Sequence, residues 1–158
     1  MNLGELRRNV AAILSASEYI DDAQQASRML ICDLLDITQT QLLTRSDDLI
    51  DGASLIIEKA QRVANGEPLQ YVCGKAYFCG HEFIAAPGAL IPRPETAELV
   101  DLIVNEHNAR NIIDIGTGTG CIAISLKLAI PEAKVTAVDI STDALAIAQK
   151  NAEKLAAN

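Results

Sequence analysis

A glycine-rich turn decides the fold of this chain: Asn111-Ile112-Ile113-Asp114-Ile115-Gly116-Thr117-Gly118-Thr119-Gly120-Cys121, followed by Ile122-Ala123-Ile124-Ser125-Leu126. The apolar residues before the glycines predict a short buried strand, and the apolar residues after them predict the start of a helix. Every second residue of the turn lacks a side chain, so the backbone can approach a ligand closely at a helix N-terminus.

A second apolar segment follows and ends in an acid. Lys134-Val135-Thr136-Ala137-Val138-Asp139 predicts a strand, and its acid lies about 20 residues after the glycines. The two strands and the intervening helix would form a βαβ unit. A cofactor that contains ribose would meet Asp139 with its hydroxyls in such a unit.

The glycine spacing departs from the dinucleotide fingerprint G-x-G-x-x-G. Gly116 and Gly118 match its first two glycines, but Cys121 stands at the third position and the glycine is shifted to Gly120. This form suits a cofactor without a pyrophosphate, and S-adenosylmethionine fits. Asp114 would fix the turn or meet a charged amino-acid group, and Asp139 would accept from two ribose hydroxyls. Two alternatives remain: a dinucleotide site, or a plain turn with Asp139 as the N-cap of a helix that begins near Ser141.

Length and composition are typical of a helix-rich or α/β protein. The chain has 158 residues, of which 49% are hydrophobic, and it has no tryptophan, so the core must be aliphatic. No apolar run is long enough to span a bilayer, and the N-terminus has no signal-peptide pattern. The sequence therefore predicts a cytoplasmic protein without a membrane partner.

Charge and cysteine spacing exclude some classes of function. The formal net charge of −8 argues against direct binding of nucleic acid, because phosphate neutralisation needs clustered Lys and Arg. Arg7-Arg8 is the only tight basic pair, and it is expected on a helix surface. Cys32, Cys73, Cys79 and Cys121 form no CxxC pair, so we expect reduced, mostly buried thiols and no metal site.

The chain is expected to have three parts. Residues 1–65 predict an all-α helical bundle, in which Asp21-Asp22 and Thr38 begin helices and Gly66 follows the last one. Residues 66–90 predict a β-hairpin linker with Cys79-Gly80 as its two-residue turn. Residues 91–158 open with a proline-rich segment, continue as a helix and lead into the glycine-rich unit.

Taken together in order, these motifs carry a resemblance to a known family. The chain resembles the release-factor glutamine-N5 methyltransferases, the HemK/PrmC family, over its whole length. Besides the helical segment, the resemblance rests on five motifs: Glu67-Pro68-Leu69-Gln70-Tyr71-Val72-Cys73-Gly74, Phe78-Cys79-Gly80, Leu90-Ile91-Pro92-Arg93-Pro94-Glu95-Thr96, Asp114-Ile115-Gly116-Thr117-Gly118-Thr119-Gly120 and Ala137-Val138-Asp139.

The resemblance implies a fold and a function. It implies a helical domain that engages the release factor and a Rossmann-like domain that uses S-adenosylmethionine. The methyl group would pass to the side-chain amide nitrogen of the glutamine in a Gly-Gly-Gln loop. The implied cofactor-binding residues are Asp114, Gly116, Thr117, Gly118, Thr119, Gly120 and Asp139. The segment beside the active-site mouth would contain Pro92, Arg93, Pro94 and Thr96, with Arg93 either binding a carboxylate or carbonyl or forming a structural ion pair.

The chain also departs from the family pattern. The family's Asn-Pro-Pro-Tyr motif, which holds the glutamine amide, does not occur in it, and Ala97 stands where an acid often follows the threonine. We therefore expect an incomplete, inactive N-terminal part of the enzyme with no catalytic residue of its own. Two alternative functions stay open: a non-catalytic partner-binding module with a vestigial glycine loop, and a fragment of an NAD-dependent oxidoreductase.

Overall fold

A computed structural model shows two compact units, Met1–Cys73 and Gly74–Asn158. It describes residues 1–106 and 110–157. The first unit is entirely helical and the second combines helices with two small sheets, so the mixed helix and sheet content predicted from the sequence is confirmed. The three-part division at residues 66 and 91 stays a prediction.

Two helices of the first unit begin at capping residues that the sequence identifies. Asp22 accepts from the Gln25 N–H at the start of the second helix, and Thr38 forms a reciprocal capping box with Gln41 at the start of the third. Gly66 follows Asn65, which is the C-cap of the fourth helix. Its φ of +93° ends that helix. The helices are α1 Leu3–Ser15, α2 Ala23–Leu35, α3 Gln39–Thr44, α4 Ala53–Ala64 and α5 Leu69–Cys73.

The short helix α5 is not expected from the sequence, which assigns its residues to the hairpin linker. Its pattern is too short to show helical periodicity, and its stability comes from packing. Val72 is buried in the core of the helical unit, and Leu69 and Cys73 pack partly against that core. The fully buried leucines of this core are Leu3, Leu6, Leu14, Leu30 and Leu42.

The second unit opens with the hairpin that the sequence predicts. Strand β1 (Lys75–Phe78) pairs antiparallel with β2 (His81–Ile84), with Phe78 opposite His81. Cys79 and Gly80 between them both have positive φ, 47° and 78°, as a type I′ turn requires. This prediction is confirmed.

A strand–helix–strand unit follows, as the glycine-rich stretch predicts. Strand β3 (Asn111–Ile115) pairs parallel with β4 (Lys134–Val138), with Asp114 opposite Ala137. Residue 139 therefore leaves the sheet at the same edge as the glycine turn. The elements are α6 Thr96–Glu106, β3 Asn111–Ile115, α7 Cys121–Ala129, β4 Lys134–Val138 and α8 Thr142–Lys154.

Helix α7 lies on one face of this two-stranded sheet, and the described side chains of the other face are exposed. Helix α7 contacts both strands. On the opposite face, Ile113 and Ile115 are 60% and 78% exposed and Val138 is 38% exposed. We call Ile113, Ile115, Thr136 and Val138 the open sheet face.

Candidate functional site

The turn between β3 and α7 is fixed across the end of β4 by backbone hydrogen bonds. Gly116 and Thr117 both donate their N–H groups to the Val138 carbonyl, at 2.8 and 3.0 Å. Gly120 donates to the Thr117 carbonyl at 2.9 Å and caps α7 without a side chain. The turn therefore has one defined path over the carboxyl edge of the sheet, which is where ligands bind in sheets of this type.

Asp139 is held against this turn through both of its carboxylate oxygens. Its Oδ1 accepts from the Ser141 N–H and its Oδ2 accepts from the Gly118 N–H, each at 2.9 Å. These backbone donors, Ser141 first and Gly118 second, lower the pKa of Asp139. A carboxylate offers about four lone-pair sites, which is more than its backbone donors Ser141, Gly118 and Ile140 occupy, so acceptor capacity remains for a ligand hydroxyl.

The helix that follows Asp139 is capped by another residue. Ser141 is the N-cap of α8, and its Oγ accepts from the Ala144 N–H at 3.2 Å. The alternative that Asp139 is the N-cap is therefore wrong, because its carboxylate bonds to the Gly118 and Ser141 N–H groups instead.

Asp114 bonds to the turn itself. Its Oδ2 accepts from the Thr117 Oγ hydroxyl at 2.7 Å, across three residues. Thr117 is 5% exposed and Thr119 is 1% exposed, so both threonine side chains lie inside the protein. At these two positions neither side chain is available to face a ligand.

The three glycines of the turn have different surroundings. A Cβ built on Gly116 or Gly118 would meet no atom within 4 Å, so the turn is open to a ligand there. A Cβ on Gly120 would lie 2.9 Å from Ile124 Cδ1 and 3.1 Å from Ala148 Cβ. Gly116 and Gly118 thus form the open side of the turn, whereas Gly120 permits α7 and α8 to approach.

Two family models match this chain and cover most of it. The model described as the PrmC N-terminal domain matches residues 5–74, and the one described as the methyltransferase small domain matches residues 94–158. The chain belongs to the HemK/PrmC family. The methyltransferase match includes the whole glycine turn and Asp139.

Curated relatives of this HemK/PrmC member have release factor glutamine methyltransferase as their name. The Bacteroides thetaiotaomicron protein is 48% identical over 138 residues, which cover 85% of this chain and 50% of the relative. The Neisseria gonorrhoeae protein is 42% identical over 83% of this chain and 49% of its own length, and the Bacillus subtilis protein is 36% identical over 93% and 55%. The chain spans about half the length of the curated relatives it matches.

The side chain of Asn151 holds the glycine turn of this family member by a hydrogen bond to Thr119. Sequence reasoning missed this residue. The side chain is fully buried, donates from Nδ2 to the Thr119 carbonyl at 2.9 Å and to the Ile84 carbonyl at 3.2 Å, and accepts from the Ile84 N–H at 2.6 Å. One amide therefore joins the turn, strand β2 and α8. The sequence pattern that could have identified Asn151 is a polar residue that continues the apolar stripe of Ala144, Ile147 and Ala148 at helical spacing.

Two thiols lie beside buried hydroxyls near this turn. Thr119 Oγ and Ser125 Oγ have no oxygen or nitrogen partner, and their neighbours are the thiols of Cys121 and Cys79. Burial raises the pKa of both thiols. All four cysteines are thiols outside any disulfide, but only Cys121 is buried, so the expectation of mostly buried thiols is wrong for Cys32, Cys73 and Cys79.

The segment implied to border the active-site mouth is a separate turn in this HemK/PrmC member. Thr96 donates its N–H to the Arg93 carbonyl at 3.0 Å. Within residues 1–106 and 110–157, no hydrogen bond joins Pro92, Arg93, Pro94 or Thr96 to the glycine turn, and exposed Arg93 forms no ion pair. Among the described residues, the Arg93 guanidinium therefore has no acidic partner for a structural ion pair. The role of Arg93 in binding substrate stays a prediction.

An apolar cleft of about 510 Å³ lies behind the turn, between β4, α7 and α8. Gly120, Ile124 and Ala148 line it, but Gly116, Gly118 and Asp139 do not. The cleft therefore does not coincide with the open side of the turn.

Over residues 1–106 and 110–157, none of the helices is long and apolar enough to cross a membrane. No group of three or more His, Cys, Asp or Glu side chains is gathered there in a way that could hold a metal ion.

Proposed function

We propose that this chain is part of an S-adenosylmethionine-dependent enzyme that methylates peptide chain release factors. The acceptor would be the side-chain amide nitrogen of the glutamine in a Gly-Gly-Gln loop. Family membership and the names of the relatives support the reaction. The observation in the structure that supports it best is the Gly118–Asp139 hydrogen bond beside the open positions at Gly116 and Gly118.

The residues of the turn fit the proposed methyl donor. Asp139 would accept from the ribose hydroxyls, since its carboxylate has more lone-pair sites than its backbone donors occupy. Gly116 and Gly118 leave room for close approach, and the backbone of Thr117, Thr119 and Gly120 would complete the lining together with Asp114. S-adenosylmethionine supplies, when bound, a methyl group activated by a sulfonium. The glycine spacing suits a cofactor without a pyrophosphate, and the chain matches a methyltransferase family model. Both observations favour S-adenosylmethionine over a nicotinamide cofactor.

The chemistry demands positioning of the acceptor more than proton transfer. An amide nitrogen is a poor nucleophile because its lone pair is delocalised into the carbonyl, so hydrogen-bond acceptors must hold its N–H groups in line with the reacting methyl. Within this chain, the segment with Pro92, Arg93, Pro94 and Thr96 is proposed to border the acceptor. The Asn-Pro-Pro-Tyr motif is not in the sequence, so we expect no turnover by these 158 residues alone.

The fold of the complete domain is also part of the proposal. A parallel sheet is normally covered on both faces, and about five or six strands are usual. The open sheet face exposes Ile113 and Ile115, and the relatives are about twice as long as the chain. We infer a Rossmann-like domain in which further elements cover that face. The helical unit would engage the release factor, and the cytoplasmic location and the lack of direct nucleic-acid binding stay predictions.

Calorimetry tests the cofactor assignment on the chain itself. Wild-type chain is expected to bind S-adenosylhomocysteine, and Asp139→Asn is expected to weaken that binding by about tenfold, a loss of about 1.4 kcal/mol. Glu132→Gln, which makes the same charge change at an exposed position outside the turn, serves as the matched control. Preferential binding of NAD, or equal weakening by both variants, would contradict the assignment.

Methyl transfer tests the reaction. Labelled S-adenosylmethionine and purified release factor are incubated with a full-length enzyme that contains this sequence, and in parallel with the 158-residue chain. We expect label in the release factor only with the full-length enzyme, and none when the Gly-Gly-Gln glutamine is replaced. No label from a folded full-length enzyme would exclude the proposed function, and partner binding without cofactor binding would favour the non-catalytic module.

A further inference from the structure

Basic side chains converge on one groove of the helical unit, although that unit is acidic overall. Residues 1–73 contain six basic and eleven acidic side chains. Three of the basic ones line a groove of about 480 Å³ together with an exposed leucine, and no acidic residue of the described chain lines it. We call it the arginine groove, and its defining residues are Arg7, Arg8, Ser15, Gln24, Arg28 and Leu43.

The three guanidinium groups of the groove have no acidic partner of their own. Elsewhere in the unit, Arg45 pairs with Asp48 and Arg62 pairs with Glu67, each at 2.6 Å. Among the described residues, the arginines at positions 7, 8 and 28 form no ion pair and no side-chain hydrogen bond. A groove of uncompensated positive charge attracts a negatively charged ligand more strongly than scattered exposed cations do.

The lining of the groove also contains apolar surface. Leu43 is 58% exposed at its edge, and Ala11 and Ala12 of α1 line it as well. A carboxylate can accept two parallel hydrogen bonds from the planar fork of one guanidinium. An apolar side chain can pack against Leu43. Nucleic acid is disfavoured as the occupant because the chain carries a net charge of −8 and the groove has no aromatic side chain on which a base could stack.

We propose that the arginine groove binds an acidic peptide segment of a protein partner, with an apolar residue of that segment against Leu43. That the segment belongs to the release factor rests on the proposed function. Arg8 would contribute mainly to the rate and salt dependence of association because it is exposed, whereas half-buried Arg28 would contribute more to the lifetime of the complex.

Peptide titration with the whole chain tests the groove. The probe is a short synthetic peptide of glutamates around one leucine, and its control replaces the glutamates with glutamines. We expect the glutamate peptide to bind and the glutamine peptide not to bind. The affinity for the glutamate peptide should fall as salt is added, and it should be about tenfold weaker for Arg8→Glu and for Arg28→Glu. Lys59→Glu makes the same charge change elsewhere on the unit and is expected to leave the affinity unchanged, since Lys59 does not line the groove.

Three results would overturn the proposal. They are binding of the glutamine peptide as tight as that of the glutamate peptide, equal weakening by Lys59→Glu and Arg8→Glu, and tighter binding of a poly-uridine oligonucleotide that the same arginine variants abolish. Arg8 is exposed and its substitution does not disturb the core, so Arg8→Glu decides the test even if Arg28→Glu fails to fold.

Competition by purified release factor separates this proposal from the proposed function. If the glutamate peptide binds in the groove but release factor does not displace it, the groove is supported and the release factor is not its partner. If release factor binds wild type and Arg8→Glu equally well, the groove is excluded as its docking site while the proposed reaction is unaffected.

Discussion

In the helical unit, Leu6, Leu14 and Leu30 have no exposed surface, whereas in strand β3 Ile113 and Ile115 expose 60% and 78% of theirs. The first unit closes its apolar core with its own five helices. The second covers one face of its sheet and leaves the other open. The glycine turn is nevertheless held in place, because it bonds to the Val138 carbonyl and to Asp139, and the exposed apolar side chains of the open sheet face take no part in those bonds.

Removal of a core leucine from the helical unit is expected to have the largest effect. Leu30→Ala should lower the free energy of unfolding of that unit by about 3 kcal/mol, because it removes a fully buried side chain and leaves a cavity. Leu55→Ala, at a helical position that is 55% exposed, is the control and should cost less than about 0.5 kcal/mol. Hydrogen exchange of residues 1–73 in increasing urea measures both, and equal losses would show that this core is not closed.

Loss of the amide that supports the glycine turn is expected to be nearly as large. Asn151→Leu keeps the volume but leaves the Ile84 N–H and the Thr119 carbonyl without their partner, at a cost of about 2–3 kcal/mol. The expected signs are faster exchange of the Ile84 amide and weaker binding of S-adenosylhomocysteine. The matched variant Gln149→Leu changes an exposed amide of the same helix and should alter neither. Unchanged exchange at Ile84 in Asn151→Leu would argue that water replaces the amide.

Alanine substitutions at two glycines compare the stability cost of a side chain on the packed side of the turn with its cost on the open side. Gly120→Ala should destabilise the second unit by about 2 kcal/mol, because its new Cβ meets Ile124 and Ala148 and its φ is +81°. Gly116→Ala has a similar φ of +79° but open space, so it should cost only about 1 kcal/mol from backbone strain. Thermal unfolding measures the two. Losses of the same size would mean that α7 and α8 adjust freely around the new methyl group.

The smallest effect is expected on the open sheet face. Ile115→Thr should change the stability of this chain by less than about 0.5 kcal/mol, because the side chain is 78% exposed and threonine is also β-branched. In a full-length enzyme with this sequence the same substitution should cost about 1.5 kcal/mol or more, because a Rossmann-like domain would bury this side chain. Thermal unfolding of both proteins makes the comparison. Equal, small losses in both would count against the proposed Rossmann-like domain.

Sequence reasoning predicted the parts of the fold that have strong local signals. The strands on either side of the glycine turn, the caps at Asp22 and Thr38 and the turn at Cys79-Gly80 depend on neighbouring residues, and the structure has them where the sequence places them. Helix α5 was missed because five residues show no period and its stability comes from tertiary packing.

The candidate site was predictable only in part. Asp139 and the glycines follow from spacing along the chain, and the structure brings Asp139 onto Gly118. The role of Asn151 was not predictable in the same way. Its partners lie 67 and 32 residues away in the sequence, and no local pattern specifies such contacts.

The bonds of Asn151 also carry a consequence for the order of synthesis. Translation completes the glycine turn before it makes the side chain that supports it, since Asn151 follows Thr119 by 32 residues. A nascent chain that has emerged from the ribosome only as far as Asp139 would already contain all three glycines and the acid. It would still lack the amide that holds Thr119, so the cofactor site that we propose would become competent only once α8 had emerged and docked.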